Sequence, residues 1–108
     1  MGTWQYPNAI LLDSGQGVTV VASVTSKYPS GNGTTDLQIQ VSPSGQGTWG
    51  VIAEDSFGYA SGEPGQANAG GTFYNSGPKQ AFDLRAVVSQ SGSYVGMQVN
   101  QSYMQPNT

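Results

Sequence analysis

The sequence predicts an all-β fold: a single antiparallel β-sandwich, jelly-roll-like, with no significant helix. Three observations carry that prediction. Apolar and polar residues alternate in short segments, turn-forming clusters return every ten to fifteen residues, and no stretch of a dozen residues between them shows a helical period.

The first alternating segment, Val18 to Thr25, puts Val18, Val20, Ala22 and Val24 on one face and mostly hydroxyls on the other, the pattern of a strand with one wet face. In the next, Leu37, Ile39 and Val41 face inward against Gln38, Gln40 and Ser42. Trp49 to Ala53 alternates less and reads as a strand covered on both sides. Phe57 to Gly71 is poorest in strand signal and reads as one long loop or a pair of short edge pieces. Phe82, Leu84, Ala86 and Val88 then alternate with Asp83 and Arg85, and a last strand sets Val95, Met97 and Val99 against Gln98 and Asn100. One open sheet of such strands leaves its apolar face wet, so two layers are expected. The expected core includes Val20, Ala22, Leu37, Ile39, Leu84, Ala86, Met97 and Val99.

The turns have a common chemistry. Ser-Gly-Gln-Gly occurs at 14–17 and again at 44–47, within flanks that do not match, which reads as two convergent turns and not as a duplication. Pro29 to Gly33, Ser61 to Gly65, Asn68 to Gly71, Asn75 to Pro78 and Ser91-Gly92 supply further positions suited to tight turns.

A chain of 108 residues makes one domain, 1–108, burying roughly 60–65% of its unfolded surface. Gly, Ser, Thr, Asn and Gln form half of it, while 8% is charged and the net charge is −3. Solubility therefore rests on neutral hydrogen-bonding groups, and 10% aromatics with repeated valines argue against disorder. Without cysteine or histidine, disulfides, ordinary zinc sites, thiol nucleophiles and Ser-His-Asp triads are excluded. Lys27, Lys79 and Arg85 are the only cations, too few to follow phosphates, so neither nucleic acid nor an anionic membrane surface is expected as a partner. No apolar run is long enough to span a bilayer, and Met1-Gly2-Thr3-Trp4 lacks a basic segment followed by an apolar one, so no export signal is expected in this chain.

The six carboxylates, Asp13, Asp36, Glu54, Asp55, Glu63 and Asp83, show no spacing that marks a glycosidase pair, and an enzyme is not expected. Glu54-Asp55 reads as a solvated strand end, with no dense acidic loop to hold calcium. Asn32-Gly33-Thr34 and Asn100-Gln101-Ser102 fit the N-glycosylation pattern, as chance alone provides in such a composition. The aromatics are more informative, because Trp4, Tyr6, Tyr28, Tyr59, Tyr74 and Tyr103 lie in or beside turns. Sugar recognition joins an aromatic face to neutral amides and hydroxyls, and this composition supplies both. The same rings would also serve to plug the ends of a sandwich or to fill an oligomer interface.

Ile10 to Tyr28, an apolar pair followed by a glycine turn and a Val-Thr-Val-Val-Ala strand ending at a tyrosine, resembles the early strands of the bacterial galactophilic (PA-IL-like) lectins. Ser91 to Val99 resembles that family's closing strand. The resemblance implies a sugar-binding β-sandwich in which the Tyr28 carbonyl and an Asp/Asn-rich loop before the closing strand hold calcium. Between Leu84 and Gly92 this chain has only Arg-Ala-Val-Val-Ser-Gln-Ser, so no cofactor is expected.

Two functions follow as expectations. The first is a non-catalytic, lectin-like domain, weak per site and multivalent as a homo-oligomer, acting extracellularly or at a cell or virion surface. Its ligand would sit at one end of the sandwich, among Tyr28, Asn32, Asp55, Tyr59, Tyr74 and Asn75, and Tyr28→Ala or Trp49→Ala would abolish binding. The second is a structural subunit of a virion, appendage or extracellular assembly, pairing through outward faces such as Thr19-Val21-Ser23 or through exposed edges.

Overall fold

The computed structural model describes residues 2–5, 8–27, 33–59, 64–91 and 96–107, the last segment as backbone alone. Eight strands run through them: β1 (Gly2–Gln5), β2 (Ile10–Leu12), β3 (Gly17–Lys27), β4 (Gly33–Pro43), β5 (Gly50–Tyr59), β6 (Pro64–Tyr74), β7 (Gln80–Ser91) and β8 (Gly96–Asn107). The described residues contain no helix, and so none able to cross a membrane.

The strands form two antiparallel sheets. One has the order β1-β7-β4-β5, with β2 also pairing with β7, and the other has the order β6-β3-β8. Their facing sides meet in one apolar cluster that takes Val18, Val20, Ala22 and Val24 from β3, Leu37, Ile39 and Val41 from β4, and Phe82, Leu84, Ala86 and Val88 from β7. Ile10 and Leu12 of β2 and Ala67 and Ala69 of β6 complete it, and Phe73 meets the Phe82 ring edge-on at 4.9 Å between centroids. Every expected core residue with a described side chain is buried; the expectations for Met97 and Val99 fall on side chains outside the described set, and Val95 lies outside the described residues.

Three expectations are corrected. Phe57 to Gly71 is mostly strand. β5 continues to Tyr59 and β6 begins at Pro64, pairing in continuous register with β3 from Lys27↔Pro64 to Gly17↔Tyr74. Its alternation is real but written in small residues, with Ala67 and Ala69 buried between exposed Gln66, Asn68 and Gly70. Small residues are required because β5 runs close by: a Cβ on Gly71 would stand 2.9 Å from the Ile52 carbonyl oxygen and 3.2 Å from the Ala53 Cβ. Secondly, the segment around Trp49 to Ala53 is not covered on both sides, since Val51 is 51% exposed. Its broken alternation is a bulge: Ile39 pairs with Ala53 and Gln40 with Val51, leaving Ile52 as the extra residue. Thirdly, Ser23 lies on the outer side of β3 by alternation yet is buried, whereas Thr19 and Val21 on the same side are half-buried.

The two Ser-Gly-Gln-Gly segments form like turns. The Gln16 N–H donates to the Asp13 carbonyl and the Gln46 N–H to the Pro43 carbonyl, each at 3.0 Å. Gly15 and Gly45, at φ of 82° and 78°, occupy the third turn position, where a side chain is strained.

Candidate functional site

Of the residues expected to converge at one end, Tyr59 and the Tyr74-Asn75 pair do not meet. Tyr28 and Asn32 lie outside the described residues. Tyr59 pairs with Gly33 at one end of the β4–β5 ladder, whereas Tyr74 pairs with Gly17 at the end of β3 remote from Lys27, beside the turn at 13–16. That turn meets Asn75 through backbone bonds, Asn75 N–H to the Gln16 carbonyl and Gly15 N–H to the Asn75 carbonyl, while Gln80 and Pro43 mark the same end of the other sheet. Strand polarity therefore sets Tyr59 and the Tyr74-Asn75 pair at opposite ends of strands ten or eleven residues long.

Asn75 is scaffold. It is 2% exposed, its amide nitrogen donates to the Leu12 carbonyl at 3.0 Å and the Pro78 carbonyl at 2.9 Å, and its amide oxygen accepts the Gly77 N–H at 3.0 Å. Tyr74 is 61% exposed, with its ring lying against Gly17. Asp55 registers with buried Leu37 and so points to the inner side of β5, where its carboxylate accepts the Asn68 N–H of β6 at 2.8 Å. An inward carboxylate at a sheet edge satisfies a backbone donor that β6 would otherwise leave open.

The concentration of recognition chemistry lies elsewhere, on the outer face of the five-stranded sheet. Alternation along β4 puts Leu37, Ile39 and Val41 in the core and turns Asp36, Gln38 and Gln40 outward. Register brings Arg85, Val87 and Ser89 of β7 beside Gln40, Gln38 and Asp36, and on the other side sets Val51, Glu54 and Ser56 of β5 beside the same three residues. Across this surface runs a chain of hydrogen bonds. Arg85 Nε donates to Gln40 Oε1 at 2.8 Å, Gln40 Nε2 to Gln38 Oε1 at 2.9 Å, and Gln38 Nε2 to Glu54 Oε2 at 3.4 Å. Both ends are fixed by chemistry, since a guanidinium only donates and a carboxylate only accepts. Neither amide can flip without breaking the chain.

The Arg85 end is held by Trp49, whose ring centroid lies 4.0 Å from Cζ, a cation–π contact worth about 0.5–1 kcal/mol at an exposed site. Trp49 reaches that position because its loop is tied down. The Asp83 carboxylate accepts the Ser44 hydroxyl at 3.2 Å and the Gly45 N–H at 3.1 Å, and the Ser42 hydroxyl accepts the Thr48 N–H at 3.0 Å. At the Glu54 end the face opens into a half-open depression of ≈ 630 Å³, lined by Asp36, Gln38, Glu54, Ser56, Val87 and Ser89, with Asp55 also contributing. From Arg85 to Glu54 the track crosses two strand spacings and one two-residue step, about 12 Å.

What this arrangement can do chemically is present oriented donors and acceptors to a polyhydroxylated ligand while Val51, Val87 and Trp49 offer apolar contact. The fold and the face define a two-sheet antiparallel β protein with a hydrogen-bonded polar outer face. No known family model matches the chain, and no curated protein is significantly similar to it.

Gln38, Gln40, Glu54 and Arg85 are not among the residues that the turn aromatics and their neighbours point to in the sequence. Their signal was present, because the same alternation that buries Leu37 and Leu84 turns Gln38, Gln40 and Arg85 outward on adjacent central strands.

Proposed function

We propose that this chain is a non-catalytic, lectin-like carbohydrate-binding domain, a jelly-roll-like β-sandwich that acts outside the cell or at a cell or virion surface. Its site is the outer face of the β7-β4-β5 sheet. The observation that carries this reading is the locked chain from Arg85 through Gln40 and Gln38 to Glu54, leading into the depression. Each amide spends one donor and one acceptor on the chain and keeps one of each for a ligand. A sugar hydroxyl both donates and accepts, and matches that pairing. Neutral contacts contribute about 0.5–1.5 kcal/mol each, so a single site binds weakly and several copies are needed for avidity.

Glycan-array screening followed by calorimetry tests the proposal. Saturable binding is expected, unchanged by calcium or a chelator, and weakened roughly 2- to 12-fold by Gln40→Ala, the fold-change that one such contact corresponds to. A blank array removes the carbohydrate reading. Binding that survives Gln38→Ala and Gln40→Ala together removes this face as its site.

A structural subunit of an assembly is the second reading, favoured by the exposed apolar side chains Leu11 (57%), Val51 (51%) and Tyr74 (61%). Leu11 and Val51 lie on the outer face of the five-stranded sheet and Tyr74 on the other sheet, which suits lateral packing more than a single ligand pocket. Regular higher-order particles in electron micrographs, together with a blank array, would favour it over glycan binding.

A further inference from the structure

The edges of the two sheets are unequal. The edge of β6 is occupied by β5, through the Asp55 carboxylate on the Asn68 N–H and the close approach of the Ile52 carbonyl to Gly71, and that contact covers β5 as well. At the far edge of the larger sheet stand β1 and β2, strands of four and three residues. β8 differs from all of these. It is 12 residues long, pairs with β3 alone among the described residues, and carries no Asp, Glu, Lys or Arg from Gly96 to Asn107. Exposed edges are usually blunted by charge, shortness, proline, bulges or cover; β8 is long and uncharged, its bulge at Asn100 and its Pro106 lie on either side of the stretch from Gln101 to Gln105, and no strand covers that stretch among the described residues.

The backbone parity of this edge follows from a bond elsewhere. In an antiparallel sheet the N–H and C=O of one residue point to the same side. Asn68 sends its N–H to Asp55, away from β3, so its partner Ser23 directs its own groups away from β6 and toward β8. Ser23 registers with Gln101, whose groups therefore point at β3; beyond it, Ser102, Met104 and Pro106 alternate toward the open side. Pro106 agrees with this assignment, since proline keeps a ladder intact only where its missing N–H would have faced outward.

We propose that the open edge of β8 is a self-association surface, on which β8 of a second copy of this chain pairs antiparallel about a two-fold axis and joins two three-stranded sheets into one. A copy of the same strand fits because an uncharged strand laid antiparallel on itself sets no like charges opposite one another. Among the described residues, pairing also uses up the one long open edge of each copy, so growth stops at two chains. The dimer does not depend on the carbohydrate reading, and its test reads mass and amide exchange without any ligand.

Sedimentation velocity on the full chain should show a two-chain species that grows with concentration. Ser102→Pro and Met104→Pro each remove an outward N–H without touching the β3 ladder. Each is expected to weaken association by on the order of tenfold to a hundredfold while the far-ultraviolet circular dichroism stays that of the parent. In the unmodified chain, amide exchange at Ser102 and Met104 should slow as concentration rises, while exchange at Gln101 and Tyr103 is slow throughout. This measurement decides the matter if a proline variant fails to fold. A single-chain mass at every concentration, a two-chain species that both proline variants retain, or exchange at Ser102 and Met104 that ignores concentration would each overturn the proposal.

Discussion

Replacing Asn75 by alanine separates a scaffold residue from a ligand-binding one. The side chain makes three good hydrogen bonds, to the Leu12 and Pro78 carbonyls and from the Gly77 N–H, all between 2.9 and 3.0 Å. At about 1 kcal/mol each these account for about 3 kcal/mol, and a Leu12 carbonyl left dry beside a fully buried side chain adds about 1–2 kcal/mol. A loss of about 3–5 kcal/mol is expected, with a fall in Tm of roughly 12 °C or more for a domain of this size. Asn75→Asp should cost at least as much. It keeps the acceptor for Gly77 but turns a carboxylate oxygen toward two carbonyl oxygens. Urea denaturation at constant m-value measures both changes as shifts in midpoint. A cost below about 0.5 kcal/mol for either variant would refute the scaffold role, because that is the range of an ordinary surface substitution.

Other substitutions probe the core and the seam between the sheets. Leu84, 1% exposed at the centre of the apolar cluster, should cost about 2–5 kcal/mol on change to alanine, and a surface-like value from denaturant titration would mean that β7 is out of register by one. Gly71→Ala should destabilise by about 1–3 kcal/mol, since the new methyl meets backbone oxygen at 2.9 Å, whereas Gly50→Ala, with nothing within 4 Å of its Cβ, should change stability by less than about 0.5 kcal/mol. Equal costs at the two glycines in thermal melts would show that β5 and β6 do not approach as described.

The strands built from large residues were legible because valine, leucine and isoleucine at a period of two leave no alternative. β3, β4 and β7 each show it. β6 was not, since hydropathy distinguishes poorly between a buried alanine and an exposed glycine, and the reason for those small residues is the neighbouring β5, which only the folded chain reveals. β1 and β2 are too short to show a period at all. For the candidate site, alternation alone turned Gln38 and Gln40 outward, but their link to Arg85 and Glu54 depends on cross-strand register, which no local pattern encodes. Asn75 misled for the opposite reason: an Asn beside turn glycines reads equally well as an exposed ligand group or as a buried turn anchor.

Fixed amide orientation also gives the outer face a heading. Along Arg85, Gln40, Gln38 and Glu54 every donor points the same way, so the surface is not equivalent to itself when turned end for end. If the proposed carbohydrate reading holds, a chain-like ligand built from asymmetric units would meet a cation beside an indole at one terminus of the track and a carboxylate at the other, and would lie in one polarity only. On the proposed carbohydrate reading, an immobilised copy would hold every bound chain in the same orientation.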